Sequence, residues 1–340
     1  MKKDLLVTLA DKKYINQAKQ LFSSVYFNAG WKGDYMLLAH EIPEKDLKWF
    51  RKKGILIKKC KPLSSKNLTR WAPVVLDKFY LFKTEFRKWR KIVYLDADII
   101  VTASFNEILN VNQFGAVLDA KSHEMIRDQF FKKTKTNQYL IEKLEKEYNT
   151  NEKAFNAGMF VFDTKIIKKY SFEKLLNLLN THEDICNTGE QPLLNLYFYK
   201  KWEQLHPVYN NYLSAYTCDK RKIKGIILHF LYWKRPWFQE SCFYNTWIKN
   251  LENAENINTK KPIPPKEVWS EKKIKKYSSF LRFMYYLYYL RNELKDAIME
   301  IKRVSYYIKC AIHFILGKCG IFLKKYSPRI YTLLKQTRLF

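Results

Sequence analysis

An α/β fold, with a largely parallel sheet wrapped by helices on both faces, is what the sequence predicts, and three observations carry it. Short apolar runs recur at residues 4–10, 34–39, 55–59, 92–101, 114–118 and 158–163. Stretches with helical character, 14–29 and 74–87, lie between them. The run Ile92–Val101 is apolar, and mostly aromatic or β-branched, except for two carboxylates, Asp96 and Asp98. Alternating strands and helices give a doubly wound sheet, whose ligands bind outside the carboxyl ends of its strands.

The first strand begins almost at once. Met1-Lys2-Lys3-Asp4 leads into Leu5-Leu6-Val7-Thr8-Leu9, which is too short for a signal peptide's apolar core and is followed by Asp11-Lys12-Lys13. The run at 92–101 reads as a buried strand of a parallel sheet. Two unpaired charges inside it cost several kcal/mol, so a divalent metal is the simplest compensation. At i and i+2 of an extended chain, both carboxylates leave on one side and can address one ion. The plainer alternative is a strand-to-turn exit, where Asp satisfies local N–H groups. Residues 121–154 are Lys-rich and polar, with helical spacing around Tyr139–Tyr148. They read as an excursion over the site that acts as a lid, or as a solvated surface helix.

The 340 residues are 47% hydrophobic and 16% aromatic, which is globular composition. The organisation expected is a catalytic domain at 1–256, a Pro/Lys-rich linker at 257–267 and a basic helical tail at 268–340. A net charge of +29 implies an anionic partner: nucleic acid, an anionic membrane or phosphorylated ligands. From Lys266 onward, 17 Lys or Arg stand against 5 Asp or Glu. Lys309, His313 and Lys318 interrupt the most apolar tail segment, Val304–Leu323, so no span of about 18 apolar residues forms.

The tail therefore reads as amphipathic helices lying on an anionic membrane surface. Trp269, Tyr277, Phe280, Phe283, Tyr285 and Tyr288 suit the headgroup level, and Lys272, Lys273, Lys275, Lys276, Lys324 and Lys325 suit anionic lipid. Packing on the catalytic domain or on another subunit is the alternative. Six scattered cysteines without C-x-x-C spacing argue against a disulfide framework or a zinc site, and point to a reducing, cytoplasmic location at the membrane face.

Five short blocks follow one another along the chain. They are Thr8-Leu9-Ala10-Asp11 through Tyr14; Asp96-Ala97-Asp98; Asn156-Ala157-Gly158; Glu190-Gln191; and His229, with Lys234-Arg235-Pro236-Trp237 after it. In this order, over roughly residues 1–240, they resemble glycosyltransferase family 8, the family of glycogenin and lipopolysaccharide galactosyltransferases. The resemblance implies a nucleotide-sugar-binding, Rossmann-like glycosyltransferase fold of the A type. It also implies a retaining hexosyltransferase that moves glucose or galactose from a UDP-sugar to a hydroxyl of a glycan or glycolipid acceptor.

The carried-over ligands are Asp96, Asp98 and His229 for Mn²⁺, with Mg²⁺ the other option; imidazole favours Mn²⁺. Thr8, Leu9, Ala10, Asp11 and Tyr14 match the base and ribose site, and Lys78 matches the basic donor-binding residue. Asn156, Ala157 and Gly158 match a sugar-contacting turn, and Glu190 with Gln191 matches the family's catalytic Asp-Gln, one methylene longer. Arg235 replaces the family's Lys, with Lys234 beside it, and Tyr232 replaces a Gly that lets backbone approach phosphate. Two other classes stay open from sequence alone. A sugar nucleotidyltransferase needs a Gly-rich loop near the first strand, which Thr8–Tyr14 lacks. A basic nucleic-acid-binding protein accounts for the charge but leaves the acidic pair unexplained, so no specific nucleic acid is expected.

Overall fold

The structure, a computed structural model, describes residues 2–64, 72–169, 171–213, 223–231, 235–326 and 328. Its strands are β1 (Leu5–Ala10), β2 (Asp34–His40), β3 (Leu56–Cys60), β4 (Lys91–Leu95), β5 (Ile99–Val101), β6 (Phe114–Leu118), β7 (Phe155–Asp163), β8 (Glu203–Leu205), β9 (Asn211–Tyr212) and β10 (Ile227–His229). The α-helices are α1 (Ile15–Ala29), α2 (Glu44–Lys52), α3 (Gln138–Glu147), α4 (Ser171–His182), α5 (Gln191–Tyr197), α6 (Tyr244–Asn253) and α7 (Glu271–Tyr326).

Seven strands form the main sheet in the order β3-β2-β1-β4-β7-β6-β8. β1 pairs in parallel with β2 and β4, as β2 does with β3; β7 runs antiparallel to both its neighbours. The uninterrupted apolar strands follow from burial on both faces. Leu5, Val7 and Leu9 enter one core cluster with Ile92 and Tyr94, whereas Leu6 and Ala10 enter the opposite one with Val93 and Leu95. Alternation along each strand thus feeds two hydrophobic layers. α1 covers the second layer and stops at Gly30, whose φ of +66° a side chain would strain.

Three expected elements take a different form. The run 92–101 is two strands, because Asp96-Ala97-Asp98 forms a break between β4 in the main sheet and β5 in a small sheet ordered β5-β10-β9. The same-side argument from an extended chain therefore does not describe the pair. The stretch 74–87 forms two 3-10 segments, Pro73–Phe82 and Thr84–Lys88. Nearly every residue from Val74 to Phe82 is buried, so packing on all sides, and not an amphipathic stripe, sets this backbone. Asn156-Ala157-Gly158 lies inside β7 and is not a turn at its entry, since pairing with β6 already starts at Phe155 opposite Leu118.

The chain forms two compact units, Met1–Tyr285 and Tyr286–Phe340. The first includes residues 257–267: a side chain at Gly30 would collide with Pro265, and the Lys266 amide donates to the Asn28 carbonyl at 3.1 Å. Trp269, Ile274 and Leu281 are buried in its core. The tail is one 56-residue helix where several were expected. Trp269, Tyr277 and Tyr285 pack inward, which removes them from the aromatics available to a headgroup layer, while Phe280, Phe283 and Tyr288 remain exposed. Among the described residues no helix is long and apolar enough to cross a membrane. Cys60 and Cys186 are free and buried; Cys242 is disulfide-bonded, a crosslink that the cysteine spacing did not announce.

Candidate active site

Strand register assembles the site. Pairing of β10 with β5 sets His229 opposite Ile99, next to Asp98, and the Phe230 amide donates to the Asp98 carbonyl at 3.1 Å. Pairing of β4 with β7 sets Leu95 opposite Met159, and the Asp96 amide donates to the Gly158 carbonyl at 2.8 Å. Asp96, Asp98 and His229, drawn from two sheets, thus present ligand atoms that all lie within 4.8 Å of one another. His229 Nε2 stands 3.2 Å from Asp98 Oδ1 and 3.9 Å from Asp96 Oδ2.

A hydrogen-bond chain orients the imidazole. Asp119 Oδ1 accepts from Asn156 Nδ2 at 3.2 Å, and Asn156 Oδ1 in turn accepts from Asn210 Nδ2 at 3.1 Å. Asn210 is thereby turned with its carbonyl oxygen toward His229 Nδ1, 2.9 Å away. That oxygen only accepts, so Nδ1 carries the proton and Nε2 becomes the cation-facing atom. Nε2 is buried and, among the described residues, makes no hydrogen bond. A buried nitrogen without a hydrogen bond beside two carboxylates fits a divalent ion of intermediate hardness, and it is on this donor set that such an ion would be held. Gly158 packs so tightly that an added Cβ would lie 2.2 Å from His229 Cε1 and 2.9 Å from Asp96 Oδ2. Glycine is required here by the close approach of the ring.

Among the described residues, two cations already address the acidic pair. Arg235 donates to Asp98 Oδ2 at 2.6 Å and stacks on Trp237 with its guanidinium carbon 5.3 Å from the ring centroid. Burial opposes the Asp98 charge, but the cationic form of the His229 ring and the Arg235 guanidinium outweigh it and hold the carboxyl below its ordinary range. Lys78 is 2% exposed and lies within the first 3-10 segment, so it is a core residue and not one of a basic helix surface. Its ammonium sits 2.5 Å from Glu190 Oε1, 3.1 Å from Asp96 Oδ1 and 3.0 Å from the Ala157 carbonyl. Burial disfavours the ammonium, yet the Asp96 and Glu190 carboxylates more than offset this and raise Lys78.

Glu190 immediately precedes α5 and is buried, with its carboxylate directed into the same cluster. Gln191 turns the other way: its Oε1 accepts from the Ala157 amide at 2.8 Å and its Nε2 donates to Asp119 Oδ2 at 2.6 Å. Asn156 is similarly engaged, as its Oδ1 also accepts from the Gly158 amide at 3.0 Å. Both amides therefore brace the floor of the site. At its other end, Thr8 is fully buried in β1 with no hydrogen-bond partner for Oγ1 among the described residues, and Leu9 and Ala10 complete the buried strand. Asp11 Oδ1 caps the turn that follows, accepting from the Lys13 and Tyr14 amides. Tyr14 meets Trp237 edge-on at 5.9 Å, which brings the first and last blocks together. Tyr232 and Lys234 lie outside the described residues.

Sequence reasoning missed Asn210, Asp119 and Tyr94, whose hydroxyl donates to Asp96 Oδ1 at 2.6 Å. The paired Asn210-Asn211 after the apolar Val208-Tyr209 was the available signal, since asparagines in so apolar a setting need buried partners. Gln129, within the 121–154 excursion, is fully buried beside Asp119 and accepts from Asn195 at 3.1 Å, which ties that segment to the floor of the site.

An open sheet with a reversed central strand, an acidic break after β4 and a facing histidine make up a fold of the GT-A glycosyltransferase type. The chain belongs to glycosyl transferase family 8, whose model matches residues 5–241. Among similar proteins is glycosyltransferase GlyF of Streptococcus pneumoniae serotype 4, 26% identical over 167 residues, covering 47% of this chain and 37% of that protein. Galactinol synthase 7 of Arabidopsis thaliana is 27% identical over 184 residues, covering 52% and 54% respectively. The chain thus spans about half or less of these relatives' length. Of solved structures, the WbbM bifunctional glycosyltransferase superposes with a TM-score of 0.55 at 17% identity, over 74% of this chain and 50% of that one. Galactosyltransferase LgtC, in complex with donor and acceptor sugar analogs, gives 0.53 at 16% identity, over 76% and 97%. These likenesses establish the fold.

Proposed function

We propose that this chain is a retaining hexosyltransferase that moves glucose or galactose from a UDP-sugar to a hydroxyl of a glycan or glycolipid, with Mn²⁺ as cofactor. The observation that carries the reading is the convergence of Asp96, Asp98 and the unpartnered His229 Nε2. When bound, the ion supplies Lewis-acid stabilisation of charge developing on the leaving diphosphate. The chain's own residues do the rest. Arg235, anchored on Trp237, is placed to trade its Asp98 contact for a phosphate oxygen, the planar bidentate recognition at which guanidinium excels.

Lys78 holds the Glu190 carboxylate in a buried, fixed orientation, with no rotamer search needed when the sugar arrives. Glu190 orients the hexose and favours positive charge at its anomeric carbon, and departure and attack take place on one face. Gln191 and Asn156 set the position of the Ala157-Gly158 backbone beneath the sugar. Thr8, Asp11 and Tyr14 receive the nucleoside end, with Trp237 closing against Tyr14.

A hydrolysis screen across UDP-sugars with Mn²⁺, followed by NMR of the first-formed anomer, tests the whole reading. Release of the α-configured hexose from an α-configured donor, lost in chelator, is expected. Full turnover in chelator, or an inverted product, refutes it.

A further inference from the structure

The second compact unit contains a feature that the proposed transfer chemistry does not use. Along α7, Leu287, Leu290, Leu294 and Ile301 are 42%, 43%, 63% and 68% exposed. They fall at the first and fourth positions of successive heptads, with exposed Ala297 in the intervening fourth position. In the sequence the same register runs back to Phe280 and Phe283 and onward through Val304, Ile308 and Ala311. A strict seven-residue repeat drifts by about 20° per heptad around a regular α-helix. A flat lipid surface cannot follow such a seam over many turns; a second helix supercoiling with it can.

Charge separates the two occupants in the same direction. The basic residues that dominate the tail flank this segment, whereas Leu287–Ile301 holds two cations, Arg291 and Lys295, against three anions, Glu293, Asp296 and Glu300. Glu293 and Glu300 occupy the heptad positions bordering the apolar seam, where they would press against anionic headgroups. Residues 297–303 are exposed all around the helix, and a lone helix in water gains its stability mainly from packing of such a face.

We propose that α7 pairs with α7 of a second copy of this chain, in parallel, along the seam Leu287, Leu290, Leu294 and Ile301. In that register the border positions set Tyr286 against Arg291 of the other copy, and Glu293 against its Ile298. No like charges meet there, and the Tyr–Arg pair gains a cation–π contact.

Analytical ultracentrifugation of the full chain without lipid tests the proposal, run beside flotation with phosphatidylcholine vesicles containing phosphatidylglycerol. Leu294→Asp and Met299→Asp are the informative variants, because Met299 is 62% exposed, much like Leu294, yet lies on the far side of the helix from the seam. The expected result is a dimer whose mass halves in Leu294→Asp but not in Met299→Asp, with donor hydrolysis unchanged in both. A monomeric full chain across a hundredfold concentration range overturns the proposal, and so does a dimer that both variants disrupt equally. A monomer that floats with the anionic vesicles also overturns it and identifies lipid as the occupant.

Discussion

At the scale of single residues, the site depends on hydrogen-bond polarity as much as on charge. Asn210 transmits the orientation of Asn156 to the imidazole, so Asn210→Ala should weaken Mn²⁺ binding by about 10- to 100-fold, the usual cost of losing a partner behind a ligand. An Mn²⁺ titration followed by EPR reads this directly, and unchanged affinity contradicts the relay. Gly158→Ala should act on the same readout through sterics, since the new methyl group takes space held by His229 and Asp96. Its circular dichroism should stay native while Mn²⁺ binding falls. Glu190→Gln leaves volume intact but removes the charge that Lys78 holds in place. A loss in kcat of about 10²-fold or more with little change in KM is expected if the carboxylate acts mainly in the transition state.

At the scale of elements, the 3-10 segment Pro73–Phe82 carries Lys78 into the site and buries Asp77 beside it. Burial raises the Asp77 carboxyl from 3.8 to about 6, against the opposing pull of His40, whose Nδ1 lies 2.8 Å from it. Between these values the folded chain binds more protons than the unfolded one at this position, so stability falls as pH rises through the window. The contribution is present below 3.8 and gone above about 6, an effect of at most about 3 kcal/mol. Asp77→Asn lacks it. The thermal midpoint of the parent chain should therefore drop relative to that variant between pH 4 and 7, as differential scanning fluorimetry would show; parallel curves contradict the assignment.

For the whole molecule, the boundary of the first compact unit, Met1–Tyr285, sets which truncations are expected to survive. The Pro-rich stretch 257–267 marks a division in composition, but Trp269, Ile274 and Leu281 beyond it are 5%, 2% and 1% exposed within the core. Each such side chain contributes roughly 1.5–3 kcal/mol by burial, so losing all three approaches the whole stability of a typical domain. A chain ending after Tyr285 should fold and hydrolyse donor, whereas one ending after Asn256 should be insoluble or unfolded. Expression trials with thermal melts of both test this, and a stable, active shorter chain would show that the α7 packing is dispensable.

Much of the site was legible in the residues because its parts are local or come in a recurrent order. Asp96, Asp98, Asn156, Gly158, Glu190 and His229 were all readable as blocks, and the alternation of strand and helix was readable from apolar runs that burial on both sheet faces makes continuous. What the sequence could not show is which distant segments meet. A one-residue slip between β5 and β10 would turn His229 away from Asp98, and the two-residue pairing of β9 with β10 that supplies Asn210 leaves too little pattern to read. The same holds for the inward turn of Trp269 and Tyr285 and for the break at Asp96. By itself the sequence determined the kinds of groups available and their spacing along the chain, because those depend on covalent order and local burial. Tertiary structure alone decided that Asn210 points its carbonyl at His229, that Lys78 binds Glu190, and that Ile274 and Leu281 of α7 turn into the core, because hydrogen-bond direction and burial are set by long-range register and packing.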